Sequence, residues 1–336
     1  MDQYQNFPPE QFEVEQLPSP IKSSHVRLHV GLIMLSVVLV ILLTSVAQFV
    51  VNELVFTFAP AIAENDWYMF AFATVPMYLV GMPLAYLLLC VIPKSAPQKQ
   101  KLHPLMWVGF LCLCFALSLV TNFFGQYVNT WVNDFSGIQV ENELEQMTSI
   151  TPLGINILFV GILAPVFEEL FFRKAIIDRL RRYGDLPAIL ISGLIFGMIH
   201  GNLSQIFYAT AVGMLLGFIY VRTGSVLYTI SIHSAFNMIG GVYTTEILRR
   251  MGENSMPAEG DTIGWVMITA YSAFVIVSLL VGTIFCLANA KSFHRSLKQG
   301  EYTFRFDKWM NILVFNPVVW IFIALIALLV LLNLLV

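Results

Sequence analysis

Two glutamates stand side by side in PVFEELFFRKAI, residues 165–176, and an arginine follows four positions after the second. Glu169 and Arg173 are an i,i+4 pair, so on a helix they share a face and can form an ion pair. Glu168 then points about 100° away from that pair. Two more pairs with the same spacing follow, Phe196 with His200 and His233 with Asn237. A carboxylate beside a histidine can hold a water molecule and deprotonate it. A second histidine with an asparagine four residues on can donate hydrogen bonds to a developing oxyanion. The same groups offer another chemistry: Glu168, His200 and His233 can ligate Zn2+ and leave a position open for water. Both arrangements lead to hydrolysis of a carbonyl compound, a peptide bond foremost.

The chain that must position these groups is built for lipid. Of its 336 residues, 57% are hydrophobic and 12% charged, with a mean hydropathy of +0.75. A soluble domain carries about 45–50% apolar and about 25% charged residues. The net charge of −3 and the lack of a basic run interleaved with aromatics argue against nucleic-acid binding. The four cysteines, Cys90, Cys112, Cys114 and Cys286, lie in apolar stretches and form no CxxC pair, so neither a zinc ribbon nor a redox motif is suggested.

A span needs roughly 20 apolar residues. Nine segments qualify as candidates, near 28–51, 67–92, 104–124, 152–172, 187–200, 205–221, 225–242, 263–290 and 310–335, the fifth being short. The fold expected is all-α, a polytopic transmembrane helical bundle with a central four-helix catalytic core. With the N-terminus inside, 16 of the 18 Lys and Arg residues fall on the inner side, and only Arg249 and Arg250 fall outside. The loop over 125–151 carries acids and no base, as an outer loop should. Residues 1–27 are polar and contain four prolines, which predicts a disordered cytoplasmic tail, and the first apolar run is expected to stay as an anchor. The organisation expected is therefore the tail 1–27, N-terminal spans over 28–149, the core over 150–245 and C-terminal spans over 246–336. Gly193, Gly197 and Gly201 recur every four residues, as do Gly213 and Gly217, so residues 187–221 are expected to form the tight centre of the bundle.

A charged group at mid-bilayer costs at least about 2.5–3.5 kcal/mol, so ionisable residues there face the bundle interior and serve function. Within the candidate spans these are Glu168, Glu169, Arg173, His200 and His233, with Asn237 as an internal amide. The turn signals Gly184, Asp185 and Pro187 predict a helical hairpin centred near 184.5. Glu168 and His200 then lie at almost equal distances from the turn, within roughly 1.5 Å in height, and face one another across the hairpin. Five basic residues between Arg173 and Arg182 suggest a cavity opening to the cytoplasm.

The three pairs also carry a resemblance. EELFFR at 168–173, FGMIH at 196–200 and HSAFN at 233–237 match E-E-x-x-x-R, F-x-x-x-H and H-x-x-x-N, in that order. The segment from about 150 to 245 is similar to the CPBP intramembrane proteases, which include type II CAAX prenyl endopeptidases, the ABI group and bacteriocin-processing relatives. The resemblance implies a membrane hydrolase in which Glu168 activates the water and His200 orients it. Glu169 pairs with Arg173, while His233 and Asn237 stabilise the oxyanion. It leaves open a metalloprotease with Zn2+ or a metal-independent glutamate protease. It implies a membrane-associated protein or peptide substrate, lipidated or not, and a multi-pass place in a bacterial plasma membrane. Two other classes compete with this reading. A non-catalytic immunity or binding protein would keep the fold without needing Glu168 and His200. A Glu/His proton-coupled transporter would show inverted repeats or paired broken spans, which are not visible.

Overall fold

The computed structural model describes residues 22–137, 148–251, 256–302 and 304–335. The tail expected over 1–27 lies, up to residue 21, outside the described residues, as does the middle of the acidic loop, 138–147. Every candidate span is helical, and no strand occurs among the described residues. The helices are α1 (Ser23–Phe58), α2 (Tyr68–Leu89), α3 (Pro104–Ser136), α4 (Leu153–Tyr183) and α5 (Asp185–Met198). They continue with α6 (Leu203–Thr223), α7 (226–248), α8 (Thr262–Ser296), α9 (Phe306–Val314) and α10 (Pro317–Leu335). The fold is an all-α polytopic bundle. Among the described residues six helices are individually long and apolar enough to cross a membrane, and α9 with α10 makes a seventh if that bent pair counts as one span.

Helix ends follow local chemistry more closely than hydropathy. The apolar run of α3 fades near residue 124, yet the helix continues to Ser136 and stops where Gly137 takes φ +71°. No proline interrupts 125–136, so nothing ends the backbone ladder before a residue that tolerates the left-handed region. The segment expected as one span over 310–335 is instead bent by 69° between α9 and α10. Pro317 has no N–H to continue the ladder. Asn316 takes over the joint, accepting from Val318 N and donating to the carbonyl of Arg27.

The tight centre is α5 against α6. A Cβ on Gly197 would lie 2.7 Å from the Ile206 carbonyl oxygen, and one on Gly213 would lie 3.3 Å from the Gly193 backbone. These glycines let two backbones touch, as small residues at this spacing do. Gly201 differs from the other members of its repeat: at φ +63° it turns the chain from α5 to α6. Short π-helical turns, which add a residue per turn, interrupt α2 at Met77–Gly81, α4 at Ile157–Leu163 and Glu169–Ile177, and α7 at Met238–Tyr243. Such turns concentrate at functional sites.

Two apolar clusters hold the bundle. One gathers α1, α2, α4, α5, α9, α10 and part of α6 around residues such as Val37, Leu89, Ile176, Phe196 and Tyr220. The other joins α3, α6, α7 and α8 around Phe110, Cys114, Leu216 and Phe236. The candidate site lies on the seam between them.

Candidate active site

The six polar residues read from the sequence are brought together. Glu168, His200, His233 and Asn237 line one cavity of about 580 Å³, and Phe196 stands in its wall. Glu169 and Arg173 lie directly behind, both wholly buried, with Arg173 Nε 3.0 Å from Glu169 Oε2. The ion pair follows from the i,i+4 spacing. What that spacing could not give is the second partner of Glu169: its Oε1 accepts from His233 Nδ1 at 3.0 Å. One buried carboxylate therefore neutralises an arginine on its own helix and orients a histidine of α7.

The orientation of each ring follows from its fixed bond. The Nδ1 of His233 is directed at an ionised carboxylate, which only accepts, so Nδ1 carries a proton. Its Nε2 faces the cavity, 3.8 Å from Glu168 Oε2. His200 Nδ1 donates to the carbonyl of Phe196 at 2.8 Å, which leaves Nε2 as its working atom. The ring of Phe196 meets both imidazoles edge-on, with centroids 5.2 Å from His200 and 5.7 Å from His233. The Arg173 guanidinium lies over the same ring, 4.7 Å from its centroid. Phe196 thus sets the spacing of the two histidines, and its role is contact rather than chemistry. Asn237 Nδ2 donates to the carbonyl of Val160 at 3.0 Å, so one amide N–H remains for the cavity.

Behind Arg173 the chain is satisfied by neighbours on α5. Ser192 stands 3.5 Å from Nη1 and donates in turn to the Phe172 carbonyl at 2.9 Å. The Nη2 atom of Arg173 has no hydrogen-bond partner among the described residues.

Tyr78 escapes the sequence reading. Its hydroxyl donates to Glu168 Oε1 at 3.4 Å, and its ring stacks on Phe167 with centroids 5.0 Å apart and planes 6° from parallel. A tyrosine inside the apolar run of α2 was the signal, but a search restricted to groups charged at neutral pH passes over it. Ser118, Asn122 and Gln126 of α3 also line the cavity. They recur at i, i+4 and i+8, a polar stripe on an otherwise apolar helix.

The donor set Glu168, His200 and His233 has the chemistry of a zinc site, one carboxylate and two imidazoles with Nε2 available. Its geometry does not gather them as one: among the described residues, no three His, Cys, Asp or Glu side chains are grouped so as to hold a metal ion. The cysteines are free; Cys112 and Cys114 are buried in α3, and neither lines the cavity.

A polytopic helical bundle with a glutamate, two histidines and an asparagine lining one cavity, backed by a buried Glu–Arg pair, defines a class, and comparison with known proteins gives the particular relatives. Residues 151–239 match the family described as type II CAAX prenyl endopeptidase Rce1-like. The resemblance read from the three motifs is borne out by that match and by two curated relatives. The chain is 31% identical over 114 residues to a putative membrane peptidase, YdiL, of Bacillus subtilis (strain 168), covering 34% of this chain and 47% of that protein. It is 27% identical over 169 residues to the membrane-embedded CAAX protease MroQ of Staphylococcus aureus (strain USA300), covering 47% of this chain and 66% of that protein. The chain thus spans less than two thirds of the length of either relative. No solved structure matches it.

Proposed function

We propose that this protein is an intramembrane endopeptidase that hydrolyses a peptide bond in a membrane-associated protein or peptide. The observation that carries the reading is the convergence of Glu168, His200, His233 and Asn237, from three separate motifs, on one cavity backed by a closed Glu169–Arg173 pair. Glu168 acts as general base. It takes a proton from a water whose oxygen bonds to the scissile carbonyl carbon, and it returns that proton to the departing amine. The products are a carboxylate and a free amine. His200 Nε2 holds the water. The remaining N–H of Asn237, and His233 when its Nε2 also carries a proton, donate to the oxyanion of the tetrahedral intermediate. Glu169 keeps His233 in one orientation, and Arg173 keeps Glu169 ionised in a low-dielectric interior.

No step here is routed through a metal, because the side chains are not gathered as a ligand set. Zn2+, if bound during turnover, would be held by Glu168, His200 and His233 only after those side chains drew together around it. A bound zinc supplies Lewis-acid activation of water. A place in a bacterial plasma membrane is part of this reading, supported by the two bacterial membrane relatives, and the substrate is taken as lipidated or plain.

The test is purification of wild type and Glu168→Ala in detergent, with elemental analysis and a panel of quenched peptides, lipidated and plain, with and without chelator. We expect cleavage by wild type and none by the variant, at equal yield and equal thermal stability. Wild-type rates from Glu168→Ala would sink the mechanism. Stoichiometric zinc with chelator-sensitive cleavage would replace the general-base form by the metal form. Full biological activity after loss of both Glu168 and His200 would favour a non-catalytic binding protein.

A further inference from the structure

The cavity is not centred in the bundle. Four of the helices that wall it do so from their first halves. α2 contributes from Phe70 to Tyr78, α4 from Phe159 to Glu168, and α6 from Ser204 to Val212. α8 gives Tyr271 and Val275, from the first half of Thr262–Ser296. α3 and α7 run the other way and give Phe115 to Gln126 and His233 to Gly241, from around their middles, and α5, which also runs the other way, gives Phe196 near its end. The cavity therefore extends from Glu168 toward the start of α4, away from Arg173–Arg182. This reverses the cytoplasmic opening suggested by those basic residues. They sit at the closed end of the helix that carries the site.

The contacts define the two ends independently. At the closed end, Ser95 N donates to Asp178 O, Gln100 N to Thr223 O and Asp185 N to Lys298 O. Arg27 donates to Asn311 there, and Arg182 pairs with Glu301. These contacts gather the segments that carry 16 of the 18 basic residues. At the cavity end, Thr151 meets Asp66, and Arg249 meets the carbonyls of Thr148, Ser149 and Thr151. The basic residues of that end in the whole sequence are Arg249 and Arg250, and both are engaged: Arg249 as above and with Glu246, Arg250 with Glu246 and Asp261. Basic residues are retained on the cytoplasmic side of a membrane.

We infer that the cavity receives its substrate from the extracytoplasmic face, and that the substrate is an internal juxtamembrane segment of a membrane-anchored polypeptide exposed on that face. The inference rests on the endopeptidase reading for its chemistry, but not for the access face. Charge supports the internal cleavage. A free C-terminal carboxylate is held most strongly by a cation with open donors, and the two arginines of that end are already paired. The exposed Gln126 on the cavity wall offers an uncharged amide instead. An extended backbone can exchange hydrogen bonds with such a group.

The test keeps the full chain in its membrane. Asn122→Cys, on the cavity wall, and Lys298→Cys, at the closed end, are treated with a membrane-impermeant maleimide in intact cells and in inverted vesicles. Labelling is read as excess over the native four cysteines. We expect Asn122→Cys to be labelled in intact cells and to lose that labelling in inverted vesicles, with Lys298→Cys the reverse. Labelling of Asn122→Cys from the Lys298 face overturns the inference. In parallel, single-span reporters present the same scissile segment on one face or the other. Cleavage of the outer reporter alone is expected, and cleavage of the inner reporter alone overturns the substrate class. With the labelling pattern as expected, failure to cleave either reporter overturns the endopeptidase reading and the substrate class with it, while the access face stands on the label.

Discussion

The two ends of the same helices handle polar groups in opposite ways. At the basic end every buried charge is closed on a near neighbour. Lys174 bonds Asp178 at 2.8 Å, Tyr220 donates to the same carboxylate at 2.7 Å, and Arg181 pairs with Asp185 at 2.7 Å. Arg179 donates to the carbonyls of Leu89 and Ala175. Around them Ile176, Ile177 and Leu180 are wholly buried. At the cavity end, Glu168, His200 and Asn237 each make one fixed contact and keep a working atom directed into open space. The closed end uses polar groups to lock helices together. The open end holds them in place by one bond and leaves the other valence for a substrate. The Glu169–Arg173 pair, at the boundary, belongs to the first kind and serves the second.

The sharpest way to break this contrast is Glu168→Gln. It keeps the shape and the bond from Tyr78 but removes the proposed base. Turnover should fall by about 10²–10⁴, while the melting temperature in detergent stays near wild type; a matching loss of stability would place Glu168 among the locking groups. Glu169→Gln should do the reverse in emphasis. It leaves Arg173 buried without a counter-charge, a change that costs about 3–5 kcal/mol. Thermal denaturation should show the loss, and a variant as stable as wild type would mean the pair is not the lock described here. Tyr78→Phe removes one hydrogen bond to the base, worth about 0.5–1.5 kcal/mol. It should lower kcat/KM by about two- to twelve-fold with little change in stability, and the conservative ring should preserve the stacking on Phe167. Smallest of all is Arg182→Ala, whose partner Glu301 is 46% exposed. A pair open to solvent contributes about 0–1 kcal/mol, so both activity and melting should stay close to wild type; a large loss of cleavage would show that the closed end is coupled to the site.

Much of the site was legible because the rules that carry it are local. The i,i+4 spacing of Glu169 and Arg173 requires only a helix. The turn of the hairpin that carries Glu168 and His200 on its two arms falls at Gly184, where φ is +116°. The bend at Asn316 and Pro317 was equally local but was hidden by a hydropathy average, which treats proline as one residue among many. Tyr78 was missed for a different reason. It meets Glu168 from 90 positions away, and no periodicity along one helix reports which second helix packs against it.

The sequence by itself determined an all-α bundle, the faces of the helices carrying the polar pairs and the candidate residues those pairs supply, since composition and a 3.6-residue period are properties of the chain alone. Only the tertiary structure decided that Glu169 serves His233 as well as Arg173, that Phe196 separates the two imidazoles, and that the cavity opens away from the arginines following Glu168. Those outcomes depend on which helix ends meet across the bundle. That is set by the glycine contact of α5 with α6 and by the packing of two apolar clusters, interactions that join residues far apart in the chain.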